Sequence, residues 1–305
     1  MRRPFVCVYL AGLMLLAACD AEGVREQEKE KEVVKTVNND TVKPIVIDSA
    51  YLVKDNGKYA PEKINYDTAF RFCEIKSTET RKTASGIKIE MLKTMPGEKL
   101  KKGEVVSLIY RGKLKDGKTI ETTQAFGKPL PFYIGIGMTF ETFDEVLLQC
   151  RNGEKIRFTI PSASAYGKKG HGKLIPPDSD LIYEMHIAGP TRPIEPEKGI
   201  RLYHIIDKPL ARQVSYDDKL LVGYMGWTEK GKLFDASVFH GKDSEVDLGV
   251  GNTIKGWKFS LVQMREGEKA LVFLPSSMGY GSKGIPEMVP PNSNLIYILE
   301  VKQIN

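Results

Sequence analysis

Three tyrosines recur along this 305-residue chain in a fixed order. Tyr110, Tyr166 and Tyr183 are followed, at a constant offset of 114 residues, by Tyr224, Tyr280 and Tyr297. Between them the second copy carries Phe234, Asp235 and Trp257, where the first has Ile120, Glu121 and Phe143. None of these side chains has the spacing of a nucleophile beside its base. The four cysteines form no CxxC pair, and the four histidines (His171, His186, His204, His240) are scattered, so neither a metal nor a cofactor is implied. What remains is chemistry by binding, on aromatic and poorly hydrated surface.

Such residues need elements to hold them. The same offset carries Gly117 to Gly231, Gly135 to Gly249 and Gly153 to Gly267 without insertion or deletion, the signature of a duplicated unit. A repeat this long means tandem domains rather than a solenoid, since each copy can bury its own core. "VVSLIYRG" and "LLVGYMGW" read as strands, "LKDGKTI" and "TEKGKLF" as hairpin turns. In "KGWKFSLVQMREGE", Trp257, Leu261 and Met264 have helical spacing, which predicts a helix ending at Gly267. "EKALVFLP" and "SNLIYILEV" are strands again. The expected class is α+β, with one short helix per antiparallel sheet. Cys150, after the apolar "DEVLLQ" run, is expected as a buried helix residue.

The N-terminus predicts export. "MRRPFVCVYLAGLMLLAACD" has a basic start and an apolar run too short to span a bilayer comfortably, the layout of a secretory signal. "LAAC" at 16–19 resembles a bacterial lipobox, which implies cleavage before Cys19, its acylation, and a membrane tether made of lipid. Cys73 and Cys150 then remain, able to pair in an oxidising envelope although nothing in the sequence says they meet. Residues 20–40 are charged and apolar-poor, a solvated tether. "DTV" at 40–42, "DSA" at 48–50 and "DTA" at 67–69 resemble an O-glycosylation acceptor of Bacteroides-type bacteria. The formal charge of +6 is mild and dispersed, so no nucleic-acid partner is expected. The expected division is a signal at 1–18, a lipid-anchored extension at 19–82, domains at 83–190 and 198–305, and a Pro-rich linker at 191–197. A monomer is the default expectation.

"YMGWTEKGKLFDAS" (224–237), "LGVGNTIKGW" (248–257) and "GYGSKGIPEMVPPNSNLIYILEV" (279–301) resemble the FKBP-type peptidyl-prolyl cis-trans isomerases. The likeness covers almost all of 198–305 and, less closely, 83–190. It implies two tandem FKBP-like domains, each a curved antiparallel sheet wrapped over one short helix. It also implies a pocket of Tyr224, Phe234, Asp235, Ile254, Trp257, Tyr280 and Tyr297. Trp257 would be the floor under a proline ring, Tyr280 a donor to a substrate carbonyl, and Met288 and Val289 the loop beside the entrance. The first copy keeps Tyr110, Phe140, Tyr166, His171, Leu174, Ile175 and Tyr183, with Phe143 for the floor, and is expected to bind peptide with weak or absent catalysis. In the second copy Ile285 stands where the first has His171.

The physical reason for such a pocket stands without the family. An X-Pro amide crosses a barrier of roughly 18–20 kcal/mol and exchanges slowly unaided. The twisted transition state has lost the amide resonance, so an apolar aromatic site favours it over the planar form. Taken singly each aromatic is a core residue and Asp235 a turn cap; their joint occurrence is what points to a site. The leading expectation is a lipid-tethered proline isomerase of the cell envelope, acting on proline-containing polypeptides. A non-catalytic peptide-binding holdase is its rival, and a mere spacer the third reading.

Overall fold

The computed structural model describes residues 75–251 and 253–305. The expected signal, Cys19, Cys73, the three short Asp motifs and all but the end of the 19–82 extension lie outside the described residues.

The chain forms two compact units, each on its own sheet. The first sheet comprises β1 (Glu79–Lys82), β2 (Lys88–Lys93), β3 (Val105–Lys113), β4 (Thr119–Thr122), β5 (Leu130–Tyr133), β6 (Lys155–Ile160) and β7 (Leu181–Pro190). Its order is β1-β2-β6-β7-β3-β4, with β5 also on β3. A helix, α1 (Glu141–Leu147), connects β5 to β6. The second sheet repeats the plan without the extra edge strand. It is built from β8 (Arg201–Ile206), β9 (Lys219–Thr228), β10 (Leu233–Ala236), β11 (Ser244–Asp247), β12 (Lys269–Leu274) and β13 (Leu295–Ile304), with α2 (Lys255–Leu261) before β12. Its order is β10-β9-β13-β12-β8, β11 also pairing with β9. The α+β class and the two-domain plan are as the sequence implies.

Alternation along β13 builds the second core. Leu295, Tyr297, Leu299 and Val301 share one face and pack with Trp257 and Leu261 of α2. Period two on the strand meets period four on the helix there.

Three boundaries differ from expectation. The first sheet starts at Glu79, ahead of residue 83, because Arg81 of β1 is bonded to fully buried Glu154, with Nη1 2.8 Å from Oε2. Glu154 also accepts the backbone N–H groups of Met95 and Arg151, so this carboxylate holds three segments together. In the nominal linker, Ile194 exchanges two backbone hydrogen bonds with Leu202 of β8, at 2.8 and 2.9 Å. And α2 stops at Leu261 rather than running to Gly267. The Gln213 side-chain amide donates to the carbonyls of Val262 and Met264, satisfying acceptors that a longer helix would have paired internally. Cys150 is fully buried as expected, but lies past the end of α1, and burial pushes its thiol up to about 12.

Candidate functional site

In the second unit the expected residues come together. Tyr224 stands on β9, Phe234 and Asp235 on β10, and Tyr297 on β13, while Ile254 and Trp257 bring the start of α2. A register shift in the β9–β10 pairing leaves Phe234 between Leu233, opposite Trp227, and Asp235, opposite Gly226. Such a bulge re-aims one side chain; here Phe234 turns into the core, 8% exposed.

The rings meet edge to face. Trp257 lies 5.1 Å from Tyr224 and 5.3 Å from Tyr297 between centroids, and Phe234 lies 5.8 Å from Tyr297 and 6.2 Å from Tyr280. Ring edges carry positive and faces negative charge, so these T-shaped contacts hold the walls apart and upright. Trp257 is 6% exposed and its indole Nε1 is buried with no hydrogen-bond partner. Tyr224, Asp235, Ile254 and Tyr280 are half-buried and form the accessible part.

Room for Tyr297 comes from Gly226, its partner across the β9–β13 ladder. A Cβ at 226 would sit 2.6 Å from Tyr297 Cε1 and 2.8 Å from Phe234 Cζ. Gly226→Ala should therefore cost roughly 1–3 kcal/mol, the usual range for overpacking, checked by chemical denaturation. A stability equal to the parent chain's would show that these walls yield freely.

The polar part of the site is a chain of hydroxyls and one carboxylate. Tyr224 Oη donates to Asp235 Oδ2 at 2.7 Å, and Asp235 Oδ1 lies 2.8 Å from His240 Nε2 and accepts the N–H of Ala236 at 2.9 Å. Burial, then the Asp235 carboxylate, pushes the Tyr224 phenol above its ordinary range. Tyr297 is raised by burial and by Tyr280, with which it shares a hydrogen bond. Both phenols are thus neutral donors at physiological pH.

The loop beside the site is closed by a backbone exchange between Ile285 and Val289 at 2.8 and 2.9 Å. Gly284 has φ +61°, and a Cβ there would meet the Val289 carbonyl at 2.2 Å. Of the two loop residues expected at the entrance, Met288 projects, 37% exposed, whereas Val289 is buried in the core and presents nothing to a ligand.

The first unit departs from expectation more sharply. Tyr110, Phe140, Phe143, Ile175 and Tyr183, the residues expected to bind peptide, are each only 1–3% exposed, and Tyr166 7%. Phe143 packs on Tyr183 at 4.8 Å. Phe158, which stands where the second copy has the smaller Val272, meets Phe143 edge-on and stacks on Tyr183, each at 5.6 Å. Glu121 reaches inward by one more methylene than Asp235. Its Oε1 accepts from Tyr183 Oη, its Oε2 is buried without a partner, and burial raises the carboxyl to about 7. Only His171, whose ring sits 5.0 Å from Tyr166, and Leu174 stay half-buried.

Two contributors escape a reading of motifs, His240 and Phe158, although both stand out when the copies are aligned, opposite Phe126 and Val272. Among the described residues one histidine does meet two acids, since ligand atoms of His204, Asp207 and Glu268 converge to within 4.8 Å. Both Glu268 oxygens already accept backbone N–H groups, from Lys208 and Arg265, so the carboxylate serves a turn there. A cleft of about 440 Å³ lined by Glu79, Arg81, Met95 and Arg151 lies among ion pairs and contains none of the aromatic set.

A family model described as FKBP-type peptidyl-prolyl cis-trans isomerase matches residues 97–188 and 211–302. The chain is 28% identical over 202 residues to human peptidyl-prolyl cis-trans isomerase FKBP9, covering 66% of this chain and 35% of that protein. It is 30% identical over 225 residues to FK506-binding protein 59 of Drosophila melanogaster, covering 71% and 50%. To FK506-binding protein 1 of Saccharomyces cerevisiae it is 38% identical over 88 residues, covering 29% of this chain and 77% of that protein. The chain spans about a third to a half of the length of the two longer relatives.

Proposed function

Because the chain belongs to the FKBP-type peptidyl-prolyl cis-trans isomerase family, we propose that it accelerates X-Pro isomerisation, and that the second unit alone does so. The observation that carries this is the contrast between copies. Tyr224, Asp235, Ile254 and Tyr280 keep exposed surface around Trp257, while their counterparts Tyr110, Glu121, Phe140 and Tyr166 are buried.

The mechanism needs no covalent step. A proline ring seated on Trp257 leaves the preceding carbonyl beside the Tyr280 hydroxyl at the half-buried rim, while the Tyr224 hydroxyl stays committed to Asp235. As the amide twists, its nitrogen becomes pyramidal and its dipole falls, so apolar ring walls oppose the twisted form less than water does. Tyr224, fixed by Asp235, keeps the wall upright.

The N-terminal sequence supports a bacterial lipoprotein, tethered through Cys19 and acting on exported proteins in the cell envelope. The first unit then serves as a spacer or scaffold.

The test is proline exchange in a short X-Pro peptide with the full chain, alongside calorimetric titration of a prolyl ligand. Expected are acceleration above buffer and one ligand per chain. Two equal sites would refute the assignment to one unit. No acceleration by folded protein would favour a holdase.

A further inference from the structure

The two copies seat one buried carboxylate each in the same way. Glu154 accepts the backbone N–H groups of Met95 and Arg151, and Glu268 accepts those of Lys208 and Arg265. What differs is the counter-charge. In the first unit Arg81 reaches in from β1 and grips both Glu154 oxygens, with Nη1 at 2.8 Å and Nη2 at 3.0 Å. Among the described residues the second sheet has no counterpart of β1, and no arginine or lysine forms an ion pair with Glu268. Two other side chains come up to it instead. His204 on β8 pairs with Ala270 and answers to Met91, which pairs with Ile156 in the first sheet. Asp207, three residues on, stands where the first copy has Thr94. His204 Nδ1 lies 3.5 Å from Asp207 Oδ1 and 3.6 Å from Glu268 Oε2.

We propose that His204, Asp207 and Glu268 form a binding site for a divalent transition metal of the zinc class, which takes in the second unit the place that the Arg81 guanidinium holds in the first. Two carboxylates and a neutral imidazole match one dication in charge. The geometry fits as well. A tetrahedral ion with ligands at about 2.0–2.2 Å keeps its ligand atoms roughly 3.3–3.6 Å apart, which is the separation His204 already has from both acids. All three ligand atoms lie within 4.8 Å of one another, and Asp207 is exposed and has room to swing inward. An imidazole in the set selects zinc-like ions over calcium and magnesium, which take oxygen ligands. Holding the turn does not use up Glu268, because each carboxylate oxygen carries a second lone pair. The Lys208 and Arg265 N–H groups then orient the ligand, as groups behind a metal ligand usually do. The fourth position opens to solvent beside Asp207. None of the three residues belongs to the aromatic set, so the ion's work is structural: it ties the end of β8 to the turn before β12.

The experiment uses the full chain, stripped with chelator and dialysed against zinc(II) or cobalt(II). The native chain should hold one more zinc ion than His204→Gln or Asp207→Asn. Changes behind a metal ligand cost roughly 10- to 100-fold in affinity, and loss of a ligand itself should cost at least as much. Cobalt should give the visible absorption of a tetrahedral site in the native chain and lose it in both variants. Trp227 and Trp257 both lie in the second unit, so melts followed by tryptophan fluorescence report the right domain. Zinc should raise the native melting temperature and leave both variants where the stripped native chain melts. Asp207→Asn, at an exposed position, keeps the test open should His204→Gln fail to fold. Equal zinc binding by the native chain and the variants would overturn the proposal. So would bound zinc that leaves the native melt unmoved, or calcium or magnesium raising it as much as zinc does.

Discussion

Trp257→Ala in the full chain is expected to lower kcat/KM for an X-Pro peptide by roughly 10- to 100-fold, or about 1.4–2.8 kcal/mol of transition-state stabilisation. The indole touches Tyr224 and Tyr297 edge-on and forms the floor between them. Removing it deletes the apolar surface under the proline ring and lets water reach the amide, which favours the planar form. It also leaves a cavity, with a stability cost of roughly 3–5 kcal/mol typical of large aromatic deletions. Trp257→Phe separates the two effects, since the first copy shows that Phe143 fits the same helix position. That variant should keep the fold and lose about three- to tenfold in kcat/KM, because Val272 is too small to fill in behind it as Phe158 does in the first unit. Exchange rates by NMR, with circular dichroism to confirm folding, decide the matter. Wild-type turnover in both variants would remove Trp257 from the site.

The second large effect concerns stability. Glu121→Gln should stabilise the first unit by about 3 kcal/mol at pH 8 and by almost nothing at pH 4.5. The Glu121 carboxyl is raised from 4.5 to about 7, first by burial, with the Tyr183 hydroxyl pulling the other way. A raised acid binds its proton more tightly folded than unfolded, so its stabilising contribution is complete below pH 4.5 and is lost as pH rises toward and through 7. At ~1.4 kcal/mol for each tenfold change in proton affinity, the loss reaches about 3 kcal/mol. His186, in the same unit, runs oppositely. Burial lowers it to about 4, so its contribution is present above pH 6.5 and is lost as pH falls toward 4. The native profile is therefore nearly level over that window, and the difference between the native chain and Glu121→Gln isolates the carboxyl. Both tryptophans, Trp227 and Trp257, lie in the second unit, so tryptophan fluorescence would report the wrong domain. Hydrogen exchange of peptides from 79–190 is the proper measurement. A Gln variant no more stable than the parent at pH 8 would mean that Glu121 ionises without cost.

Much of this is legible in the residues alone. The constant 114-residue offset implies two like domains, the apolar runs that become β12 and β13 read as strands, and the family resemblance names the ring set of the second copy. Strand pattern and glycine spacing are local properties, and they survive translation into sequence well. What stays hidden is occupancy. Tyr110 and Tyr224 are the same residue on the same strand, yet Tyr224 is half-buried and Tyr110 covered. Around Tyr110 stand Phe143 and Tyr183, which are themselves backed by Phe158 from β6 and, at the Tyr183 hydroxyl, by Glu121, each innocuous alone. The end of α2 is hidden for a similar reason: Gln213, 48 residues before Leu261, satisfies the carbonyls that stop it.

The register shift beside Phe234 has a twin. In the first sheet Gly112 pairs with Glu121 and Lys113 with Thr119, leaving Ile120 as the inserted residue. Backbone and spacing are thus alike in both copies, and the main chain itself imposes no difference in duty. On the proposed division of work, the first copy is a socket whose shape has been kept and whose lining has been exchanged. Its conversion would be a matter of side chains only, with Phe-Asp at 120–121, His at 126, Trp at 143 and Val at 158 entering a frame already cut to receive them.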